Sequence, residues 1–307
     1  MAGLSLGMTA SILLFSVALS AQHETGSDSS HMRLAACQFP VSDQISENAG
    51  WIMRQMVEAA DSGARVVHFP ECALSGYPGV DMESLEGFDW PGLRSWSDSI
   101  MNLAAALDIW VILGSIHELG EGFKPMNSLY VINPDGDIED RYDKRFCTEG
   151  DLEHFSAGEH FSVVSILGIK CGFLICFDVR FPELYREYKK LKVDLIFQSF
   201  YNARQKPGGI HPKIMPVTAQ TRAATNHYYM SLCNSSSPSS WPCHFITPDG
   251  LIGGTIEADR PGILLSDVDL SAKYYDASRN FRKNAMEGKL SSGDSPEHPR
   301  YSDRKSL

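Results

Sequence analysis

Hydrophobic and polar positions form two kinds of pattern between residues 32 and 270: short apolar runs, and longer segments with a helical period. Short apolar runs, such as 34–38 and 109–115 (IWVILGS), have the length and composition of buried strands. Longer segments, such as 47–62 and 93–107, carry apolar residues at three- and four-residue spacing, which predicts amphipathic helices. The pattern therefore predicts a chain in which strands and helices alternate.

Three pairs of predicted strands are close enough in the chain to form hairpins. They are 128–133 with 138–142, 161–166 with 169–176, and 244–246 with 251–256. Pro-Asp-Gly turns join the first and third pairs, and such turns are typical of hairpins. Hairpins mixed with strand–helix–strand crossovers predict an α/β architecture of two sheets with helices outside. No period of 20 to 50 residues repeats, which excludes a solenoid.

The two ends differ in composition from the alternating segment. Residues 1–23 contain no Asp, Glu, Lys or Arg, and the apolar run 12–21 is too short to cross ~30 Å of hydrocarbon. A signal peptide fits this run, although no basic residue precedes it. Translation from Met32 and an artificial extension are the open alternatives. We divide the chain into a leader with linker (1–31), a main domain (32–280) and a polar tail (281–307). We expect a cytoplasmic protein, or an exported one if 1–21 act as a signal.

Composition removes several classes of function. The chain has 307 residues and a formal net charge of −11, which argues against a protein that coats nucleic acid. Its seven cysteines show neither zinc-ligand spacing nor the pattern of a disulfide framework. No G-x-G-x-x-G follows a predicted strand, so a dinucleotide-binding enzyme is disfavoured.

Three segments carry candidate chemistry. Glu71 follows a predicted strand and Pro70, where α/β sheets place their ligands. Lys144 ends the strand of the first hairpin. Cys176 ends an apolar strand just before a predicted helix, which is the arrangement of a nucleophile elbow. Taken singly, each has an ordinary structural explanation: a solvated glutamate, a basic turn and a buried thiol. Their occurrence in this order is far more specific.

These segments resemble the catalytic triad of the nitrilase superfamily, the carbon–nitrogen hydrolases. Glu71 stands in FPE, Lys144 in YDK and Cys176 in ICFDVRFPE, and the resemblance covers about residues 33–269. It implies a four-layer α-β-β-α sandwich that pairs into a homodimer or a higher homo-oligomer. We expect helices 182–191 and 215–226 near that interface.

The resemblance also implies a second glutamate between the lysine and the cysteine. Glu153, five residues before Gly158, fits that position, and Glu149 and Glu159 are the rivals. This carboxylate would orient Lys144.

The expected chemistry is hydrolysis in two steps through a thioester. Cys176 is the nucleophile, and Glu71 is the base that takes its proton and later activates water. Lys144 and the backbone N–H of Phe177 stabilise the oxyanion. This chemistry requires no metal or other cofactor.

The residues after the nucleophile indicate a subclass. Cys176-Phe177-Asp178 differs from the Cys-Trp-Glu of nitrile hydrolases and is similar to omega-amidase-like and carbamoylase-like enzymes. Arg180 either pairs with a carboxylate of the protein or binds a carboxylate of the substrate. Segments 198–202 and 240–244 depart from relatives and should line the pocket. The candidate substrate-binding residues are Tyr77, Phe177, Arg180 and Asn202.

The leading hypothesis is a hydrolase of a linear amide or N-carbamoyl compound, with that small molecule as its partner. The alternatives are an N-acyltransferase that uses the same acyl-enzyme, and a non-catalytic interaction protein. We expect no nucleic-acid partner and no stable membrane span.

Overall fold

A computed structural model describes residues 30–202 and 208–305. The predicted signal-like run at 12–21 lies outside the described residues. The first strand begins at His31, one residue before the predicted start of the main domain. No helix within the described residues combines the length and apolar character needed to cross a membrane.

Within the described residues, twelve strands form two six-stranded sheets. In chain order they are β1 His31–Gln38, β2 Val66–His68, β3 Trp110–His117, β4 Met126–Ile132, β5 Ile138–Asp143, β6 Val163–Ile166, β7 Ile169–Ile175, β8 Leu195–Ser199, β9 Tyr229–Cys233, β10 His244–Ile246, β11 Ile252–Thr255 and β12 Gly262–Asp269. The first sheet has the order β12-β1-β2-β3-β4-β5 and the second β11-β10-β9-β8-β7-β6. In each sheet three central strands run parallel, and antiparallel strands flank them on both sides.

The described residues form seven helices. They are α1 Ile45–Asp61, α2 Trp90–Leu107, α3 Asp151–His154, α4 Pro182–Lys190, α5 His211–Asn226, α6 Arg282–Met286 and α7 Pro299–Ser302. Helices α1 and α2 pack on the first sheet, whereas α4 and α5 pack on the second. A 3-10 turn, Cys176–Arg180, follows β7. This is the predicted α-β-β-α sandwich, and the fold prediction is confirmed.

Alternate residues of the central strands serve two cores, so these strands are apolar throughout. Leu34 and Val66 face the core between the sheets, whereas Ala35 and Val67 face the core under α1 and α2. All four are buried. Strands buried on both faces lose the polar–apolar alternation of half-exposed strands, which explains their continuous apolar sequences.

A buried histidine links the two sheets. His68 of β2 contacts the hydroxyls of Ser199 (2.9 Å) and Ser231 (3.0 Å), which lie on β8 and β9. The Ser199 hydroxyl donates to the carbonyl of Phe69 (2.7 Å), so it accepts from His68 Nε2–H. Burial lowers the pKa of His68 to about 3, so the ring is neutral at ordinary pH. The contact fixes the carboxyl end of β2 against that of β8.

The C-terminal segment predicted to be a polar tail is mostly exposed. Its described part touches the domain through Arg282, which pairs with Asp276 and donates from Nε to the carbonyl of Thr225 on α5 (2.9 Å).

Candidate active site

Glu71 is a buried carboxylate whose two oxygens differ in their hydrogen bonds. Its Oε1 accepts from Lys144 Nζ (2.7 Å) and from Asn127 Nδ2 (2.8 Å). Oε2 is buried and has no hydrogen-bond partner in the described part of the chain. Burial raises the pKa of Glu71, against the opposing effect of Lys144. A raised pKa and a free oxygen are properties of a group that moves protons.

The turn that carries Glu71 packs closely on β3. A Cβ at Gly114 would lie 1.9 Å from the carbonyl oxygen of Pro70, so only glycine fits this position of the strand. The backbone N–H of Glu71 donates to the carbonyl of Phe200 (3.3 Å), the residue that follows β8 of the second sheet. Contacts with both sheets therefore hold this residue in place.

Lys144 lies between two carboxylates. Its Nζ is 2.7 Å from Glu71 Oε1 and 2.8 Å from Asp151 Oδ2, and the side chain is buried. Tyr77 Oη lies 3.4 Å from the same nitrogen. Burial alone would lower the pKa of Lys144, but Glu71, Tyr77, Cys176 and Asp151 together raise it well above its usual value. The side chain is therefore an ammonium group.

The second carboxylate at the lysine is Asp151, which the sequence analysis missed. The expectation that Glu153 orients Lys144 is not met, because Glu153 is exposed and makes no ion pair with Lys144 in the described part of the chain. Successive residues of a helix are about 100° apart, so a residue two positions after Asp151 on α3 points away from the lysine.

A local signal could have identified Asp151. Its backbone N–H donates to Thr148 Oγ1 (3.1 Å), and the N–H of Thr148 donates to Asp151 Oδ2 (2.8 Å). Thr-x-x-acid is the pattern of such reciprocal capping, and it stands in the sequence as Thr148-Glu149-Gly150-Asp151. The hydroxyl of Tyr77 donates to the other oxygen, Oδ1. Burial opposes ionisation of Asp151, but Lys144 and these hydrogen bonds lower its pKa.

Cys176 is the first residue of the 3-10 turn that follows β7. Its φ is 40°, in the left-handed region that side chains other than glycine rarely adopt. Burial raises the pKa of the Cys176 thiol, and the charge of Glu71 raises it further, whereas Lys144 lowers it. The resting side chain is therefore a thiol that needs a base to become a nucleophile.

Asp178 connects the turn that carries Cys176 to β5 and to the segment after it, in which Lys144 lies. It accepts from the backbone N–H of Ile175 (3.0 Å), the N–H of Phe146 (2.9 Å) and the hydroxyl of Tyr142 (2.8 Å). Burial raises its pKa to about 6, although all three hydrogen bonds favour the charged form. The sequence analysis did not assign Asp178 a role, and this bridge sets the position of Cys176 relative to Lys144.

A pocket of about 390 Å³ opens onto the thiol. Its lining includes the predicted residues Tyr77, Lys144, Glu153, Cys176, Phe177, Arg180 and Asn202. Glu71 is not part of this lining.

Arg180 is half-buried, and its side chain has no ion pair and no hydrogen bond within the described residues. A structural pairing of Arg180 with a protein carboxylate is therefore not found there. Asn202 Nδ2 lies 3.7 Å from the sulfur of Cys176. No group of three or more metal-ligating side chains occurs among the described residues.

Comparison with known proteins adds independent evidence. The family model described as carbon–nitrogen hydrolase matches residues 33–274. Nitrilase homolog 2 of Dictyostelium discoideum is 27% identical over 257 residues, which cover 78% of this chain and 75% of that protein. Omega-amidase NIT2 of Homo sapiens is 28% identical over 257 residues, which cover 78% and 88% of the two chains.

Solved structures share the fold. The crystal structure of an amidase from Nesterenkonia sp. matches with a TM-score of 0.71 and 20% identity, covering 85% of this chain and 97% of that one. At this identity the likeness concerns the fold, whereas the family model covers most of the sequence. The chain belongs to the carbon–nitrogen hydrolases of the nitrilase superfamily and is an amidase-like enzyme.

Proposed function

We propose that this enzyme hydrolyses a linear amide that carries a carboxylate, through a thioester on Cys176. The observation that carries the proposal is the arrangement of charge beside the thiol. A lysine ammonium is held between Glu71 and Asp151, and one oxygen of Glu71 has no hydrogen-bond partner among the described residues. A base and a cation that both act on the charge state of one thiol are the parts that acyl transfer needs.

In the first step Glu71 accepts the thiol proton while the sulfur attacks the amide carbon. The carbonyl electron pair moves to oxygen, and the oxyanion is stabilised by Lys144 and by the backbone N–H of Phe177. When the intermediate collapses, the carbon–nitrogen bond breaks and the leaving amine takes the proton from Glu71. The products of this step are a thioester and ammonia or an amine.

In the second step Glu71 accepts a proton from water, whose oxygen attacks the thioester carbon. The carbon–sulfur bond breaks, the thiolate recovers a proton from Glu71, and a carboxylic acid is released. Amide plus water thus gives acid plus amine. Asp151 and Tyr77 do not contact the reacting atoms in this scheme. They hold the ammonium group charged and in position.

Arg180 supports the assignment of substrate class. A guanidinium without an ionic partner in the described part of the chain, in the same pocket as the thiol, is suited to bind a carboxylate through two parallel hydrogen bonds. Omega-amidases are among the similar proteins, and an omega-amide of a dicarboxylic acid carries a carboxylate at its other end. An N-carbamoyl amino acid offers the same group and is the second candidate substrate.

The test compares matched substrates. Release of ammonia is measured with the monoamide of a dicarboxylic acid, with the N-carbamoyl amino acid of similar length, and with the alkanamide that lacks the carboxylate. We expect Arg180→Gln to lower kcat/KM for the carboxylate-bearing amide by about 10- to 100-fold, the usual loss of a hydrogen bond to a charged group. The alkanamide should change little. Equal losses on both substrates would contradict the role of Arg180, and turnover of none of the three would contradict the substrate class.

A further inference from the structure

Two loops meet beside the thiol. Asn202 lies in the loop after β8, and Trp241 lies in the connection between β9 and β10. Trp241 Nε1 donates to Asn202 Oδ1 at 2.8 Å, and both side chains are buried. The reaction scheme above uses neither residue.

The indole fixes which end of the Asn202 carboxamide faces the sulfur. A tryptophan N–H can only donate, so the carboxamide atom beside it is the oxygen. The amide nitrogen is then directed toward Cys176, with Nδ2 3.7 Å from Sγ. Rotating the carboxamide by 180° would set two donors against each other at Trp241 and would leave an oxygen facing the sulfur.

A third buried side chain holds the backbone of both loops. Asn234 Oδ1 accepts from the N–H of Asn202 (3.1 Å), and Asn234 Nδ2 donates to the carbonyl of Trp241 (2.8 Å). The Asn202 carboxamide is therefore held through its oxygen and through its own backbone. A donor fixed in this way needs little reorganisation when negative charge develops in front of it.

The sulfur needs such a donor because its surroundings oppose the thiolate. Burial raises the pKa of the Cys176 thiol, and the carboxylates of Glu71 and Asp151 raise it further. Lys144 and the backbone N–H of Tyr201 act in the opposite direction. A hydrogen bond to an ionised acceptor is about twice as strong as one between neutral groups, so an N–H aimed at sulfur favours the thiolate over the thiol.

We propose that Asn202 is a catalytic residue that donates from Nδ2 to the sulfur of Cys176 as the thiolate forms, and that Trp241 is the positioning residue that keeps this donor turned toward the sulfur. The inference rests on the proposed role of Cys176 as the nucleophile. It gives a function to both loops, which together supply a sulfur-directed donor outside the Glu-Lys-Cys set.

The experiment measures the rate of alkylation by iodoacetamide at Cys176 between pH 7 and 9, followed by mass spectrometry of the peptide that contains it. We expect Asn202→Ala to slow alkylation by about 10- to 100-fold at a fixed pH and to lower kcat by a similar factor. Asn202→Asp keeps the shape and the bond from Trp241 but turns a carboxylate oxygen toward the sulfur. This variant should therefore be slower than Asn202→Ala and should shift the pH profile of alkylation upward.

Trp241→Phe keeps the ring and removes only the donor, so the carboxamide can rotate and alkylation should slow by about 3- to 10-fold, a neutral hydrogen bond's usual contribution. Trp51→Phe on α1 is the matched control and should leave the rate unchanged. In the Asn202→Ala background, Trp241→Phe should have no further effect, because the group it positions is absent. Circular dichroism establishes that each variant is folded.

The results for these variants decide the inference. Wild-type alkylation rates in both Asn202 variants would overturn it. If the losses in alkylation rate of Asn202→Ala and Trp241→Phe add in the double variant, Trp241 acts only on structure. This result would also overturn the inference. If Trp241→Phe does not fold, the alkylation rates of the two Asn202 variants still decide, because an Asn202→Asp that is no slower than Asn202→Ala would overturn the inference. An acyl adduct on a cysteine other than Cys176 in the wild type would instead refute the proposed nucleophile, so the two failures are distinguishable.

Discussion

At the scale of single residues, the position of a carboxylate on a helix turn decides its function. Asp151 and Glu153 are two positions apart on α3, and only Asp151 pairs with Lys144 (2.8 Å). The sequence contains several carboxylates after Lys144 but does not show which of them contacts the lysine, because four residues are too few to show which side of a helix faces inward. The local signal for Asp151 is its reciprocal cap with Thr148, whereas the family resemblance implies a glutamate at this site.

The same pair of residues provides a matched test. Asp151→Asn removes a negative charge beside the ammonium group, which lowers the pKa of Lys144 and loosens its orientation. We expect kcat to fall by about 10- to 100-fold, since a charged hydrogen bond is lost in a buried site. Glu153→Gln removes an exposed charge and should leave kcat within about twofold of the wild type. Steady-state release of ammonia measures both. A larger loss in Glu153→Gln would restore the original assignment.

The thiol can be tested separately from its surroundings. Cys176→Ala should abolish turnover, and Cys176→Ser should not restore it, because a hydroxyl has a far higher pKa than a thiol and a carboxylate is a weak base for it. Mass spectrometry of the wild type with substrate should find an acyl adduct on the peptide that contains Cys176. An adduct on Cys72 or Cys171 instead would contradict the assignment of the nucleophile.

At the scale of elements, the chain showed where strands and helices lie but not how they are joined at the site. The run 109–115 is apolar because both faces of β3 are buried, and such runs are identifiable in the sequence. Helix α5 begins at His211, four residues before the predicted 215, because Pro212 occupies its first turn, where proline is tolerated, and Pro216 obscures its pattern. The bridge through Asp178 joins segments distant in the chain, and no local pattern reveals such a contact.

The Asp178 bridge predicts a kinetic effect without contact to the substrate. Tyr142→Phe removes one hydrogen bond to this buried carboxylate and should lower the free energy of unfolding by about 1–3 kcal/mol. It should also lower kcat severalfold, since the turn that carries Cys176 is less firmly tied to β5. Tyr188→Phe is the control, because its buried hydroxyl donates to the carbonyl of Phe173 (2.6 Å). Tyr188→Phe should lower the free energy of unfolding and leave kcat unchanged. An equal loss of kcat in both variants would contradict the role of the Asp178 bridge.

At the scale of the whole molecule, the histidine between the sheets predicts sensitivity to acid. The unfolded chain binds a proton at His68 near pH 6.5, whereas the folded chain, with a pKa of about 3, does not. The unfolded state therefore binds more protons as the pH falls below 6.5, and stability declines by up to about 1.4 kcal/mol per pH unit from this group. Urea unfolding at pH 7, 6 and 5 measures the slope.

A substitution isolates the contribution of His68 to that slope. His68→Gln cannot titrate, so the loss of stability between pH 6.5 and 5 should be smaller than in the wild type, whatever the stability at pH 7. His160→Gln, at an exposed position, is the control. His244, whose pKa burial lowers to about 4, adds a parallel contribution that remains in both variants. An unchanged slope in His68→Gln would show that this ring is protonated in the folded protein.

The surface beside the pocket leads to the last prediction, which concerns assembly. Ile210 and Val217 are 60% and 58% exposed at the beginning and on the outer side of α5, the helix that also lends His211 and Met215 to the pocket lining. Large apolar side chains grouped beside a functional pocket are typical of a contact surface.

We expect a homodimer in which this surface and α4 face the second copy, as the family resemblance implies. Light scattering at micromolar concentration should give twice the mass of one chain, and Val217→Asp should shift the equilibrium toward the monomer. Leu251→Asp, an equally exposed apolar position in the turn before β11, should leave the dimer intact. A monomeric wild type would contradict the prediction. Loss of turnover on dissociation would show in addition that the second copy supports the side of α5 that lines the pocket.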